Sequence, residues 1–155
     1  MNKISIIMGS DSDLGTVNET VKILKDFGAA FELRVLSAHR SPDNLKKYVK
    51  AAVEKGIKVF IGAAGGAAAL AGVIASNTTL PVIGVPVETK SLKGLDSLLS
   101  TVQMPTGVPV ATMAIGKPGA RNAAIFALEI LGVSDKKIQA KLSRYKNQMR
   151  IKPKK

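Results

Sequence analysis

Lys3-Ile4-Ser5-Ile6-Ile7-Met8-Gly9-Ser10-Asp11-Ser12-Asp13, running on into Leu14–Phe27, is the stretch whose reading decides the fold. Lys3–Met8 has the length and apolar content of a buried strand. Gly9–Asp13 is a polar loop. Beyond it Val17, Val21, Leu24 and Phe27 recur at helical spacing, and Gly28 closes the helix. A buried strand passing through a short loop into an amphipathic helix is the opening of a βαβ unit.

The alternation continues along the chain. Phe31–Leu36 reads as a second strand. Pro42–Lys55 reads as a second helix with Leu45, Tyr48, Val49, Ala52 and Val53 turned inward, ended by Gly56. Lys58–Gly62 is a third strand and Pro81–Val85 a fourth, where Pro81 fits only as the first residue. A shorter strand falls near Pro109–Met113. Ala120–Leu131, ended by Gly132, and Asp135–Arg150 are the closing helices. Strands separated by helices of this length predict an α/β fold built on a parallel sheet. No repeat, low-complexity segment or linker divides the chain, so residues 1–150 form one domain and 151–155 a basic tail. Ile57–Ser76 has about the length of a membrane span and carries only Lys58 as a charge. Gly62, Gly65, Gly66 and Gly72 within it fit a strand, a tight turn and a small-residue helix instead.

Composition narrows the classes. With 155 residues and 46% hydrophobic content the chain supports one sizeable core and excludes general disorder. Aromatic residues make up only 4%, so the core is Val, Ile, Leu and Ala, as suits helices packed on a parallel sheet. The absence of cysteine excludes disulfides and thiolate-bound metal, and a single histidine with scattered carboxylates lacks metal-ligand spacing. The first residues lack a signal peptide's long apolar run, and the expected location is cytoplasmic. The net charge of +12 is concentrated in residues 136–155, which hold nine basic and no acidic side chains. Such a segment reads as a solvated helix face with a frayed end. Only Tyr145 accompanies it as an aromatic platform, which disfavours single-stranded nucleic acid as a partner.

Three loops follow predicted strands and therefore open on one edge of the sheet, where open α/β sheets bind ligands. In the first, Gly9 permits close backbone approach, Ser10 and Ser12 beside a helix start favour an anion, and Asp13 suits ribose hydroxyls. The same loop also reads as a plain helix cap by Ser12 or Asp13. The second loop is Ser37-Ala38-His39-Arg40. His39 is the sole histidine, the residue type that exchanges protons near neutrality, and Arg40 offers a fork for phosphate. The third, Ala63–Ala69, presents backbone N–H groups of Gly65, Gly66, Ala67 and Ala68 with little side chain in the way, though small residues also serve close packing. Together the loops point to a small phosphorylated, ribose-containing ligand beside one histidine.

Over roughly residues 3–150 the chain resembles the N5-carboxyaminoimidazole ribonucleotide mutases of purine biosynthesis. The resemblance is carried by Met8-Gly9-Ser10-Asp11-Ser12-Asp13, Ser37-Ala38-His39-Arg40-Ser41-Pro42-Asp43, Gly65-Gly66-Ala67-Ala68, Pro81–Pro86, Gly94-Leu95-Asp96-Ser97-Leu98 and Val102–Val110. It implies a flavodoxin-like three-layer αβα sandwich, a homo-octamer with sites at subunit contacts, and a reaction without metal or organic cofactor. It further implies that Ser10 and Asp13 bind the phosphoribosyl part, Arg40 the phosphate, and that His39 transfers the proton. The expected substrate-binding set is Gly9, Ser10, Ser12, Asp13, Ser37, Ala38, Arg40, Gly65, Gly66, Ala67, Ala68 and Leu70. Partners are a small phosphoribosyl substrate and copies of the same chain, with neither membrane nor nucleic acid among them. The mutases usually read Gly-Gly-Ala-Ala-His-Leu-Pro-Gly in the third loop, whereas this chain has Ala69 and Ala71 at the histidine and proline positions. A related branch that carboxylates aminoimidazole ribonucleotide with CO2 directly also tends to lack that histidine. Direct carboxylation is therefore the alternative, and an inactive nucleotide-binding or basic-tail RNA-binding protein is the alternative of another class.

Overall fold

The computed structural model describes residues 3–151. Five strands, β1 (Ile4–Met8), β2 (Phe31–Val35), β3 (Val59–Ala64), β4 (Val82–Pro86) and β5 (Ala111–Thr112), form one sheet in the order β2-β1-β3-β4-β5. Every pairing is parallel. The central strands β1 and β4 are buried throughout and β3 at all but its last residue, because helices cover both faces. Alternation along β1 divides the core: Ile4, Ile6 and Met8 join one apolar cluster and Ile7 the other. The first cluster is completed by α1 (Leu14–Asp26), α5 (Lys117–Gly132) and α6 (Lys136–Ile151). The second is completed by α2 (Pro42–Glu54) and α3 (Leu70–Ala75). This is the parallel sheet that the alternation predicts and the flavodoxin-like three-layer sandwich that the resemblance implies.

Several boundaries differ from expectation for local reasons. β3 runs on to Ala64 because Ala63 and Ala64 pair with Val85 and Pro86. Pro81 lies just before β4, where its carbonyl accepts the Phe60 N–H at 3.0 Å without needing to donate. α5 begins at Lys117, with Pro118 in its first turn, where a missing N–H costs nothing. Val53, expected inward, is exposed, since Leu45, Val49 and Ala52 already fill the buried stripe of α2. One helix was not foreseen, α4 (Leu95–Val102). Ile57–Ser76 contains β3 and α3, and no helix among the described residues is long and apolar enough to cross a membrane. Residues 152–155 of the basic tail lie outside the described residues.

Two glycines let helices reach the sheet. Gly62 and Gly84 are register partners on β3 and β4. A Cβ at Gly62 would stand 3.2 Å from the Ala71 Cα, and one at Gly84 would stand 2.4 Å from the Thr101 methyl. The bare patch therefore seats α3 and α4, the helices that follow the ligand-edge loops. Gly84→Ala should push Thr101 away and destabilise the fold by about 1–3 kcal/mol. Gly15→Ala, on an exposed helix position with open space around it, should leave stability unchanged or raise it by up to about 1 kcal/mol. Thermal unfolding of both variants checks the pair.

Candidate active site

Register brings the loops together. Met8 stands opposite both Val35 and Ala63, and Ala64 opposite Pro86, so the chain leaves four adjacent strands at nearly the same level. The loops enclose a cavity of about 440 Å³. Of the expected residues, Gly9, Ser10, Ser12, Asp13, Ser37, Ala38, His39, Arg40, Gly65, Ala67, Ala68 and Leu70 all line it.

The first loop folds as one 3₁₀ turn, Asp11–Asp13, ahead of α1. Ser10 caps this turn: the Ser10 Oγ accepts the Ser12 N–H at 3.4 Å, and Asp13 Oδ2 accepts the Ser10 N–H at 3.2 Å, while Asp13 occupies the N-cap position of α1 without a side-chain cap bond to it. Asp13 is 7% exposed. Burial raises its carboxyl above the ordinary carboxylate range, against the opposing pull of the Ser10 and Gly9 N–H groups.

The second loop is braced by Ser37, whose Oγ accepts from Arg40 N at 3.1 Å and Arg40 Nε at 3.4 Å. Arg40 Nη2 donates to the Gly9 carbonyl at 3.3 Å. The guanidinium therefore spans the first and second loops, a placement that lets it close on a phosphate held at the first. His39 is exposed on the cavity wall, its ring engaged by no hydrogen bond among the described residues.

The third loop departs from the expected row of free donors. Gly66, at φ +69°, does not line the cavity, and its N–H donates to Ser97 Oγ at 2.9 Å. The Ala68 and Ala69 N–H groups bond back to the Gly66 and Ala67 carbonyls at 2.8 and 2.7 Å. Gly65 and Ala67 thus remain the loop's donors without a backbone partner among the described residues. A fourth wall, Val87, Glu88 and Thr89, went unread in the sequence. The signal was present, since a fourth parallel strand ending near Val85 must deliver its following loop to the same edge. Thr89 Oγ1 donates to Asp96 Oδ1 at 2.7 Å and accepts the Gly94 N–H at 3.1 Å, which anchors this wall to α4. The cavity thus combines a guanidinium, an imidazole, the carboxyls of Asp13 and Glu88, and backbone donors. Among the described residues no cluster of three or more His, Cys, Asp or Glu is placed to hold a metal ion.

A family model described as AIR carboxylase matches residues 3–152. The chain is 54% identical over 150 residues to the N5-carboxyaminoimidazole ribonucleotide mutase of Pyrococcus abyssi, covering 97% of this chain and 85% of that protein. It is also 54% identical to the enzyme of that name from Saccharolobus solfataricus, with 97% and 94% covered. Among solved structures, Treponema denticola PurE superposes with a TM-score of 0.86 at 29% identity, covering 96% of this chain and 92% of that one.

Asp13 yields a pH prediction. Its folded value lies above the ordinary 3.8, so the stability it contributes is present below 3.8 and lost as pH rises through the raised value. At neutral pH the buried carboxylate is a cost to folding. Asp13→Asn should therefore unfold at an equal or higher temperature than wild type at pH 7, with less change between pH 4 and 7. Affinity for a ribose phosphate ligand should fall more than about tenfold. Melting curves at the two pH values, with titration calorimetry, check both parts.

Proposed function

We infer that this chain, which belongs to the AIR carboxylase family, interconverts N5-carboxyaminoimidazole ribonucleotide and 4-carboxy-5-aminoimidazole ribonucleotide in purine biosynthesis. The observation that carries this reading is its 54% identity, across 97% of the chain, to enzymes named for that reaction. The cavity supports it with a cation, an imidazole and a carboxyl on one sheet edge.

In the proposed mechanism Arg40 takes the phosphate, and Ser10 and Asp13 take the ribose. The N5–carboxyl bond breaks, its electron pair stays on N5, and CO2 is released within the cavity. N5 takes a proton from the His39 imidazolium, C4 then attacks the CO2, and the neutral imidazole removes the C4 proton to restore aromaticity. One proton moves from C4 to N5 and one carboxyl moves the other way, so the isomerisation balances without a co-reactant. Backbone donors at Gly65 and Ala67 serve the carboxylate. With Ala69 in the third loop, a single imidazole performs both transfers.

Assembly into a homo-octamer, a number taken from the resemblance, is supported by an apolar stripe on and beside α4. Leu92, Leu95, Leu99 and Val102 there are 56%, 51%, 48% and 45% exposed. A cytoplasmic location is in keeping with the cysteine-free composition.

Offering N5-carboxyaminoimidazole ribonucleotide, or aminoimidazole ribonucleotide with bicarbonate, to purified protein tests the carboxyl donor. Turnover with the first alone is expected. Turnover with the second alone would establish direct carboxylation, and turnover with neither would remove both enzyme readings. In the same assay His39→Asn should lower kcat about 10²- to 10⁴-fold while substrate affinity stays within about threefold. Removing residues 151–155 should leave turnover unchanged. Salt-sensitive RNA binding lost on that removal would support the other class of function instead.

A further inference from the structure

α4 carries three hydroxyl side chains with different partners. Ser100 Oγ donates to the Asp96 carbonyl and Thr101 Oγ1 to the Ser97 carbonyl, each at 2.7 Å and each the local bond usual for such residues within a helix. Ser97 does otherwise. Its hydroxyl donates to the Val87 carbonyl at 2.7 Å and accepts the Gly66 N–H at 2.9 Å. Ser97 is fully buried, and its bond to the Val87 carbonyl is buried with it, while the bond from Gly66 is partly so. One hydroxyl thereby joins the third loop to the fourth wall of the cavity, although neither segment is its neighbour in sequence.

The consequence falls on the loop donors. Drawing the Gly66 N–H toward α4 holds Gly66 at its positive φ and fixes the direction of the peptide units on either side. The unit after Gly66 carries the N–H of Ala67, which lines the cavity, whereas the Gly65 N–H lies one unit further back, where the Ala64 carbonyl accepts the Val87 N–H at 2.9 Å. Ser100 Oγ adds a longer contact to the Gly66 carbonyl at 3.3 Å, so both polar groups of this glycine face α4. Meanwhile Arg40, Ser10 and Asp13 are held by the first and second loops and have no hydrogen bond to α4.

We propose that Ser97 is a positioning residue that sets the Ala67 donor of the third loop for the migrating carboxyl, while leaving phosphoribosyl binding to the first two loops. This rests on the function inferred above and names the part of the reaction that α4 serves. The prediction is a split between ligands. In Ser97→Ala, kcat should fall about ten- to a hundredfold. Affinity for 4-carboxy-5-aminoimidazole ribonucleotide should fall about tenfold, while affinity for aminoimidazole ribonucleotide, which shares the phosphoribosyl part and lacks the carboxyl, stays within about twofold. Ser97→Cys keeps a weak donor and acceptor at the same place and should restore part of both losses; it also carries the test if the alanine variant does not fold. An unchanged kcat with unchanged affinities, or equal loss of affinity for both ligands, would overturn the proposal. A wild-type protein that binds the two ligands but turns over neither would remove the functional reading, and the ligand comparison would still decide the role of Ser97. Wild type binding neither would overturn both.

Discussion

The parallel register around β1 is the constraint on which the site depends. Because Met8 is level with Val35 on one side and Ala63 on the other, the first three loops begin within one layer of the sheet. β4 joins the same layer through the pairing of Ala64 with Pro86. Antiparallel pairing at any of these positions would send one loop to the opposite edge and dismantle the cavity. The polar loops thus meet because the apolar strands between them all run one way. That direction is in turn enforced by helical crossovers, which return the chain to the far edge before each strand.

This dependence explains how much was legible in the sequence. Strand–helix alternation identified the four longer strands and every helix but α4, and once the strands were parallel, convergence of the loops followed without any knowledge of side-chain position. His39, Arg40 and Asp13 could be placed for that reason. Local hydrogen bonding was harder to read. Ser10, Ser12 and Asp13 are all competent caps, and the choice among them turned on a 3₁₀ turn that no apolar period announces. The Gly65–Ala68 run read as a row of donors, but a glycine-rich segment does not reveal which way each peptide unit points. Its orientation is decided by Ser97, more than thirty residues away and on the one longer helix the sequence reading passed over. Val87–Thr89 was missed for a simpler reason, since it holds no glycine, histidine or arginine of the kind by which the other loops were recognised.

The site also reverses the usual relation between burial and charge. Asp13 is nearly enclosed and held up by its surroundings, whereas His39 and Arg40 are exposed. A buried carboxylate is orienting and poorly mobile, which suits recognition of a rigid ribose. An exposed imidazole on a loop is free to approach two different atoms of a substrate in succession. Under the proposed mechanism a single proton carrier requires such freedom, because the substrate's exocyclic N5 and ring carbon C4 are separate positions that one histidine would serve in turn.

That freedom sets a demand the isolated chain does not meet. A CO2 molecule released beside exposed groups escapes to solvent unless the cavity is closed, and an open cavity also lets water weaken every electrostatic contact within it. The fold supplies a floor through Ser97 and the sheet edge, but it presents Glu88 to solvent, and α4, tied to this wall by the Thr89–Asp96 bond, carries exposed leucines. An apolar stripe next to a polar cavity is costly in water and useful at a contact between copies. Under the proposed assembly, copies that cover that stripe would also bring a second surface toward the cavity, and the apolar area that drives association would then serve the water exclusion that carboxyl transfer needs.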